Sequence, residues 1–299
     1  MEKVWTLENE YICAGVMPGR GGKICSIRDR GTGFELLYQS ERGYPPLSPG
    51  MDFSKSDASG MDDVFPSMGE VYAGPITDTV YFLPDHGEIW TSAMETAEAD
   101  ESHISMKTQG RLLPYEYHKT VSLTGRQVEV SVRIANRGEE PLPLVWVSHG
   151  LWHLEADTRF VFPRDGKYIE HLGGGYPEEE GGMASIDNPR YRFHEPVPQG
   201  KAMKFYFAEP VKEGRCAAVY PGAGMKAEMT FDPEKLPYLG FWITNGGYRG
   251  DKNFAFEPAT AYFDTWQRAF ANGRLPRIEP GGEVRLGLGI ALAPMTDGD

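Results

Sequence analysis

The segment Gln127 to Ala135, QVEVSVRIA, sets Val128, Val130, Val132 and Ile134 on one side and Glu129, Ser131 and Arg133 on the other. Only an extended chain sends successive side chains to opposite faces, so this is a strand with one face buried. Comparable runs recur at YICAGV, KICSI, FELLY, TVYFL, HISMKT, YEYHKTVSL, PLVWVS, RFVFP, MKFYFA, CAAVYP, MKAEMTF, YLGFWIT, NFAFE and EVRLGLGIALA. Each is bounded by Gly, Pro, Asn or Asp, the residues that turn a chain. About fifteen strands so closely spaced predict an all-β chain, a large antiparallel β-sandwich of two packed sheets.

One stretch departs from this period. ATAYFDTWQRAFANG, 259–273, reads as a short helix near 260–272, with Tyr262, Trp266, Ala269 and Phe270 on one face and Gly273 as its stop. Residues 40–78 and 164–200 read as long loops, and long loops in compact domains commonly bind ligands or move. No repeat or shift in composition divides the chain, so residues 1–299 are read as one domain.

Net charge excludes some partners. At −13, the chain would repel phosphate backbones, and no basic run with interleaved aromatics offsets this, so nucleic acid is not an expected partner. The first residues lack the positive start and apolar run of a leader, and no stretch approaches the roughly 20 apolar residues of a membrane span. A cytoplasmic protein without a membrane partner is expected; oligomeric state is not legible. Cys13, Cys25 and Cys216 are scattered with no CxxC spacing, and read as reduced core residues.

Three segments carry candidate chemistry. In NFAFEP, alternation puts Asn253, Ala255 and Glu257 on one face and Phe254 and Phe256 on the other, with Pro258 expected to end the strand. An edge-strand glutamate directed at water fits the segment equally well. In PLVWVSHGLWHLE, His149 ends a row formed with Val145 and Val147, which suits a proton donor or a satisfied core histidine. His153 and Glu155 follow, yet no helical HExxH motif or further ligand cluster is present, so no metal site is expected. In LPDHGEIW, His86 lies in a turn and Asp85 reads as the turn former.

Asp62, Asp63 and Glu70 in the preceding loop have the oxygens to accept bonds from sugar hydroxyls, and equally suit solvated loop charges. Trp152, Trp242 and Asn245 complete the substrate-binding candidates. Aromatic faces pack on sugar rings, although most such residues in a sandwich belong to the core.

Taken in order, these segments resemble the galactose mutarotase-like superfamily in its aldose 1-epimerase branch. The resemblance rests on MPGRGGKICSIRDRGTGFELLY, DVFPSMGEVY, LPDHGEIW, IANRGEEPLPLVWVSHGLW, FWITNGGYRGDKNFAFEPAT and FDTWQRAFANGRLPRIEPGGEVRLGLGIAL, and spans nearly the whole chain. It implies Glu257 as general base, His149 as general acid and His86 as the second, substrate-binding histidine. The chain departs from the pattern after His149, where Gly-Leu-Trp replaces Pro-Tyr-Phe, and it lacks an arginine shortly before His86. The implied reaction is mutarotation. A base removes the anomeric proton, an acid protonates the ring oxygen, and the opened sugar recloses on either face without a cofactor. A sugar-binding protein without catalysis remains open, as do a glycoside hydrolase, which needs two carboxyl groups roughly 5 to 9.5 Å apart, and a lyase on the same sandwich, for which no Tyr and Arg motif calls.

Overall fold

The computed structural model describes residues 3–71, 82–173, 181–188, 191 and 197–296. Among them, antiparallel strands form an eleven-stranded sheet, an eight-stranded sheet and a two-stranded ribbon. In the eight-stranded sheet, Arg159–Val161, Arg215–Tyr220, Met225–Phe231, Glu283–Pro294, Gln127–Asn136, Tyr115–Thr124, His103–Gln109 and Glu95–Ala99 follow in spatial order. The alternation seen in sequence is kept: Val128, Val130, Val132 and Ile134 are buried while Glu129 and Ser131 face water.

The larger sheet runs Trp5–Glu8, Ile12–Met17, Lys23–Asp29, Met61–Val64, Val147–Gly150, Lys252–Ala259, Tyr238–Asn245, Lys201–Phe207, Tyr168–Gly173 and Met183–Ser185, with Trp152–His153 also pairing on Lys252–Ala259. Its central strands are buried on both faces. One face meets the core between the sheets, where Phe160, Phe162, Phe241, Phe254 and Phe256 pack with ring centroids 4.7 to 6.4 Å apart. Rings offset in this way add to the apolar area they remove from water. On the other face Ala255 packs with Ala58 and Leu151 in a small separate cluster. Residues 40–60 fold over that face, and this second layer makes a cleft.

Several expectations are corrected. The helix is limited to Trp266–Ala271, capped by Thr265, and Phe270 points outward at 53% exposure. The preceding strand continues through Pro258 to Ala259, and Phe263 then takes a positive φ of 72°, so the chain cannot enter a helix earlier. FELLY makes only single bridges, at Glu35 and Leu37. Within 40–78 lies the strand Met61–Val64, and within 164–200 the hairpin of Tyr168–Gly173 and Met183–Ser185. Parts of those stretches, at 72–78, 174–180, 189–190 and 192–196, lie outside the described residues, as does most of TVYFL. Cys25 and Cys216 are buried and Cys13 half-buried, all as free thiols. No helix among the described residues is long and apolar enough to cross a membrane.

Candidate active site

Glu257 stands in the middle of the larger sheet and is fully buried. Its strand sends Phe254 and Phe256 to the core, which leaves Asn253 and Glu257 to the cleft. Directly across on the neighbouring strand is Gly240, where a Cβ would lie 3.0 Å from Glu257 Oε2 and 3.1 Å from the Tyr206 ring. That gap admits side chains from the next strand over. Lys204 Nζ comes within 2.9 Å of Glu257 Oε2 and 3.1 Å of Asp264 Oδ1, and the Tyr206 hydroxyl donates to the same Asp264 oxygen at 2.6 Å.

His149 reaches the cleft from Val147–Gly150, with Nε2 3.7 Å from Glu257 Oε1 and with Nδ1 lacking a hydrogen-bond partner. His86 approaches from the turn. Its ring stacks on Phe53 at 3.7 Å and 7° and meets His149 edge-on at 4.9 Å. Asp85 Oδ2 lies 2.9 Å from His86 Nδ1, so the expected turn former engages the histidine ring. His86 holds a positive φ of 62°, unfavourable for a residue with a Cβ, and Gly87 follows at 67° with no room for one: its Cβ would sit 2.2 Å from the Phe65 carbonyl oxygen.

These groups line a cleft of about 380 Å³ together with Trp242, Tyr248, Asp251 and Asn253. That is the scale of a small-molecule site. Trp242 Nε1 donates to Asn253 Oδ1 at 3.2 Å, while Asp251 accepts from Tyr38 at 2.9 Å and from Arg42.

Burial pushes Glu257 above the ordinary carboxylate value, against the downward pull of Lys204. Burial also drives His149 well below 6.5, assisted by the charges of His86 and Lys204, so the imidazole rests neutral. For Lys204, burial alone would favour the neutral amine, but Asp264 and Glu257 outweigh it and the ammonium is retained.

The structure thus gathers Glu257, His149, His86 and Trp242, and leaves four other candidates elsewhere. Asp63 is sealed beneath the sheet, 3.0 Å from Lys119 Nζ and accepting from Tyr117 at 2.7 Å. Trp152 is core, edge-on to Phe254 and Phe256. Asn245 donates to the Val197 carbonyl oxygen at 2.6 Å, and Glu70 is exposed away from the cleft. Lys204, Asp264 and Asp251 were not anticipated. The described residues hold no group of three or more His, Cys, Asp or Glu placed for a metal ion.

Two stacked antiparallel sheets with this cleft on the outer face of the larger one define the galactose mutarotase-like fold. By sequence the chain matches no family model and none of the curated proteins. In structure it is similar to a Synechocystis sp. protein at 17% identity and TM-score 0.78, covering 99% of this chain and 97% of that one. A candidate aldose 1-epimerase from Escherichia coli K12 matches at 15% identity and TM-score 0.74, covering 99% and 100%. A galactose mutarotase-like protein from Lactobacillus casei matches at 14% identity and TM-score 0.73, covering 97% and 100%.

Proposed function

We propose that this protein is an aldose 1-epimerase-like isomerase, acting across residues 1–299 as one unit on a small sugar. The observation that carries the reading is the approach of the Glu257 carboxylate to the His149 imidazole, 3.7 Å apart in a cleft of sugar size. Ionised Glu257 takes the proton of the anomeric hydroxyl through Oε1. The ring oxygen is protonated from His149, the C1 to ring-oxygen bond breaks, and the aldehyde recloses on either face as the two protons return. A base and an acid each contribute typically a hundredfold to ten-thousandfold.

The reacting state is therefore ionised Glu257 with protonated His149. Burial makes that imidazolium scarce at neutral pH and, once formed, a strong acid. His86, held by Asp85 and stacked on Phe53, directs its free edge at the substrate, and Trp242 and Tyr248 offer apolar faces to the sugar ring.

The test is the approach of freshly dissolved α-glucose, α-galactose, other aldoses and their 6-phosphates to anomeric equilibrium, followed by polarimetry or NMR with wild type and Glu257→Gln. Acceleration by wild type alone is expected. Sugar binding without acceleration would replace the reading with a non-catalytic carbohydrate-binding protein.

A further inference from the structure

We propose that Lys204 is a positioning residue for the base: its ammonium anchors one oxygen of Glu257, keeps the carboxylate ionised, and leaves the other oxygen for the sugar. The proposal rests on the reading of Glu257 as base. Its geometric ground is the asymmetry of the carboxylate. Oε2 lies 2.9 Å from Lys204 Nζ in an ion pair, whereas Oε1 is directed toward His149, whose Nε2 is 3.7 Å away. A fully buried carboxylate with one free oxygen would otherwise take up a proton, because burial disfavours the charged form.

The wall of the cleft is built around this contact. Gly240, the residue between the two strands, is the gap through which Lys204 and Tyr206 reach the site, and any larger residue would meet Glu257 Oε2 first. Lys204 is held in turn. Asp264, on the turn before the Trp266–Ala271 helix, lies 3.1 Å from Nζ and accepts from Tyr206, so the ammonium sits between two carboxylates at fixed places.

The charged and titratable groups facing Glu257 are Lys204 and Tyr206 from their strand, Asp264 from its turn, His149 from the Val147–Gly150 strand and His86 from the 85–87 turn. Lys204 is the cation nearest the carboxylate. Asp264 opposes it, competing for the ammonium and repelling Glu257.

The experiment titrates the Glu257 carboxyl by ¹³C NMR, assigned by its loss in Glu257→Gln, in wild type, Lys204→Met, Lys204→Arg and Asp264→Asn. In Lys204→Met the Glu257 titration is expected to rise by about one to three pH units. The acid limb of the anomerisation rate on α-glucose or α-galactose should move up with it, and Lys204→Arg should restore most of both shifts. Asp264→Asn should move the titration the other way, and this arm decides the question if Lys204→Met does not fold. An unchanged Glu257 titration in folded Lys204→Met, or an unchanged or raised one in Asp264→Asn, overturns the proposal. Because the titration needs no turnover, it judges the Lys204 contact even if wild type and Glu257→Gln prove equally inactive, a result that would sink the base assignment itself.

Discussion

Two groups of buried carboxylates and lysines lie within a few residues of each other in this fold, and only one of them meets a cleft. Asp62 and Asp63 sit on the strand beside His149, in register with His149 and Ser148. Lys23 gives its three donors to Asp57 at 2.8 Å, Asp62 at 2.8 Å and the Ser59 carbonyl oxygen at 2.6 Å. Asp63 lies between Lys119 and the Tyr117 hydroxyl, and that hydroxyl accepts from Trp146 at 2.8 Å. Lys204 also bridges two carboxylates, yet its partner Glu257 lines a cleft together with His149, whose Nδ1 has no hydrogen-bond partner. Burial of charge is common to the two groups. Buried oxygens without a hydrogen-bond partner occur in both, at Asp62 Oδ1 and at Glu257 Oε1, so what distinguishes the second is the cleft onto which its open acceptor faces.

The contrast breaks first at Glu257→Gln. The anomerisation rate is expected to fall by about a hundredfold to ten-thousandfold while sugar affinity is retained. Stability should not fall with it. Folded Glu257 has a raised pKa, so its favourable contribution is present below the unfolded value of 4.5 and is lost as pH rises through the folded value. At neutral pH the ionised side chain therefore opposes folding, and glutamine removes that penalty. Full activity in the variant, or a marked loss of thermal stability, would place Glu257 with the structural pairs.

Lys119→Met is the reverse case. It strands the Asp63 charge in a site where both side chains are completely buried. Breaking such a pair costs about 3–5 kcal/mol, seen as a lowered midpoint in denaturant. The rate per folded molecule should be unchanged, because Lys119 and Asp63 are absent from the cleft. A folded but inactive Lys119→Met would erase the distinction.

The sequence supports the fold more fully than the site, for reasons visible in single residues. Period-two segments such as Gln127–Asn136 declare both their structure and their buried face. Glu95–Ala99 does not, because it is an outer strand with charged side chains, exposed at every position but Ala99. The faces of Glu257 and His149 follow from alternation. Lys204 shares that logic with Tyr206 in MKFYFA, but a lysine on a strand suits solvent as well, and its role depends on Gly240 in a neighbouring strand whose register no local pattern gives. Asp63 is hard to place for a related reason. In YEYHKTVSL, alternation sets Lys119 in a row with Tyr115, Tyr117, Val121 and Leu123, all buried. A lysine on an apolar face calls for a buried carboxylate, and that signal could have claimed Asp63 for the core.

The pH dependence of the reaction sharpens the contrast at a smaller scale. Burial raises Glu257 from 4.5 and lowers His149 from 6.5, so the two limbs of the profile close on each other. Activity requires Glu257 ionised and His149 protonated, which predicts a narrow bell on the acid side of neutrality, falling about tenfold per pH unit on the alkaline limb. A plateau that extends through pH 8 would mean that His149 is not the donor.

The smallest expected effects separate Trp242 from Asn245, which share a strand and were both candidate sugar contacts. Trp242 lines the cleft and donates to Asn253, so Trp242→Phe removes one neutral hydrogen bond, about 0.5–1.5 kcal/mol, and should raise KM by about twofold to tenfold. Asn245 points elsewhere and ties the end of its strand to the Val197 carbonyl oxygen. Asn245→Ala should therefore cost about 1 kcal/mol of stability and leave KM and kcat as they were. Strand position alone makes the two residues look alike; a KM that rises with Asn245→Ala would show the cleft extending past Trp242 to the end of the strand.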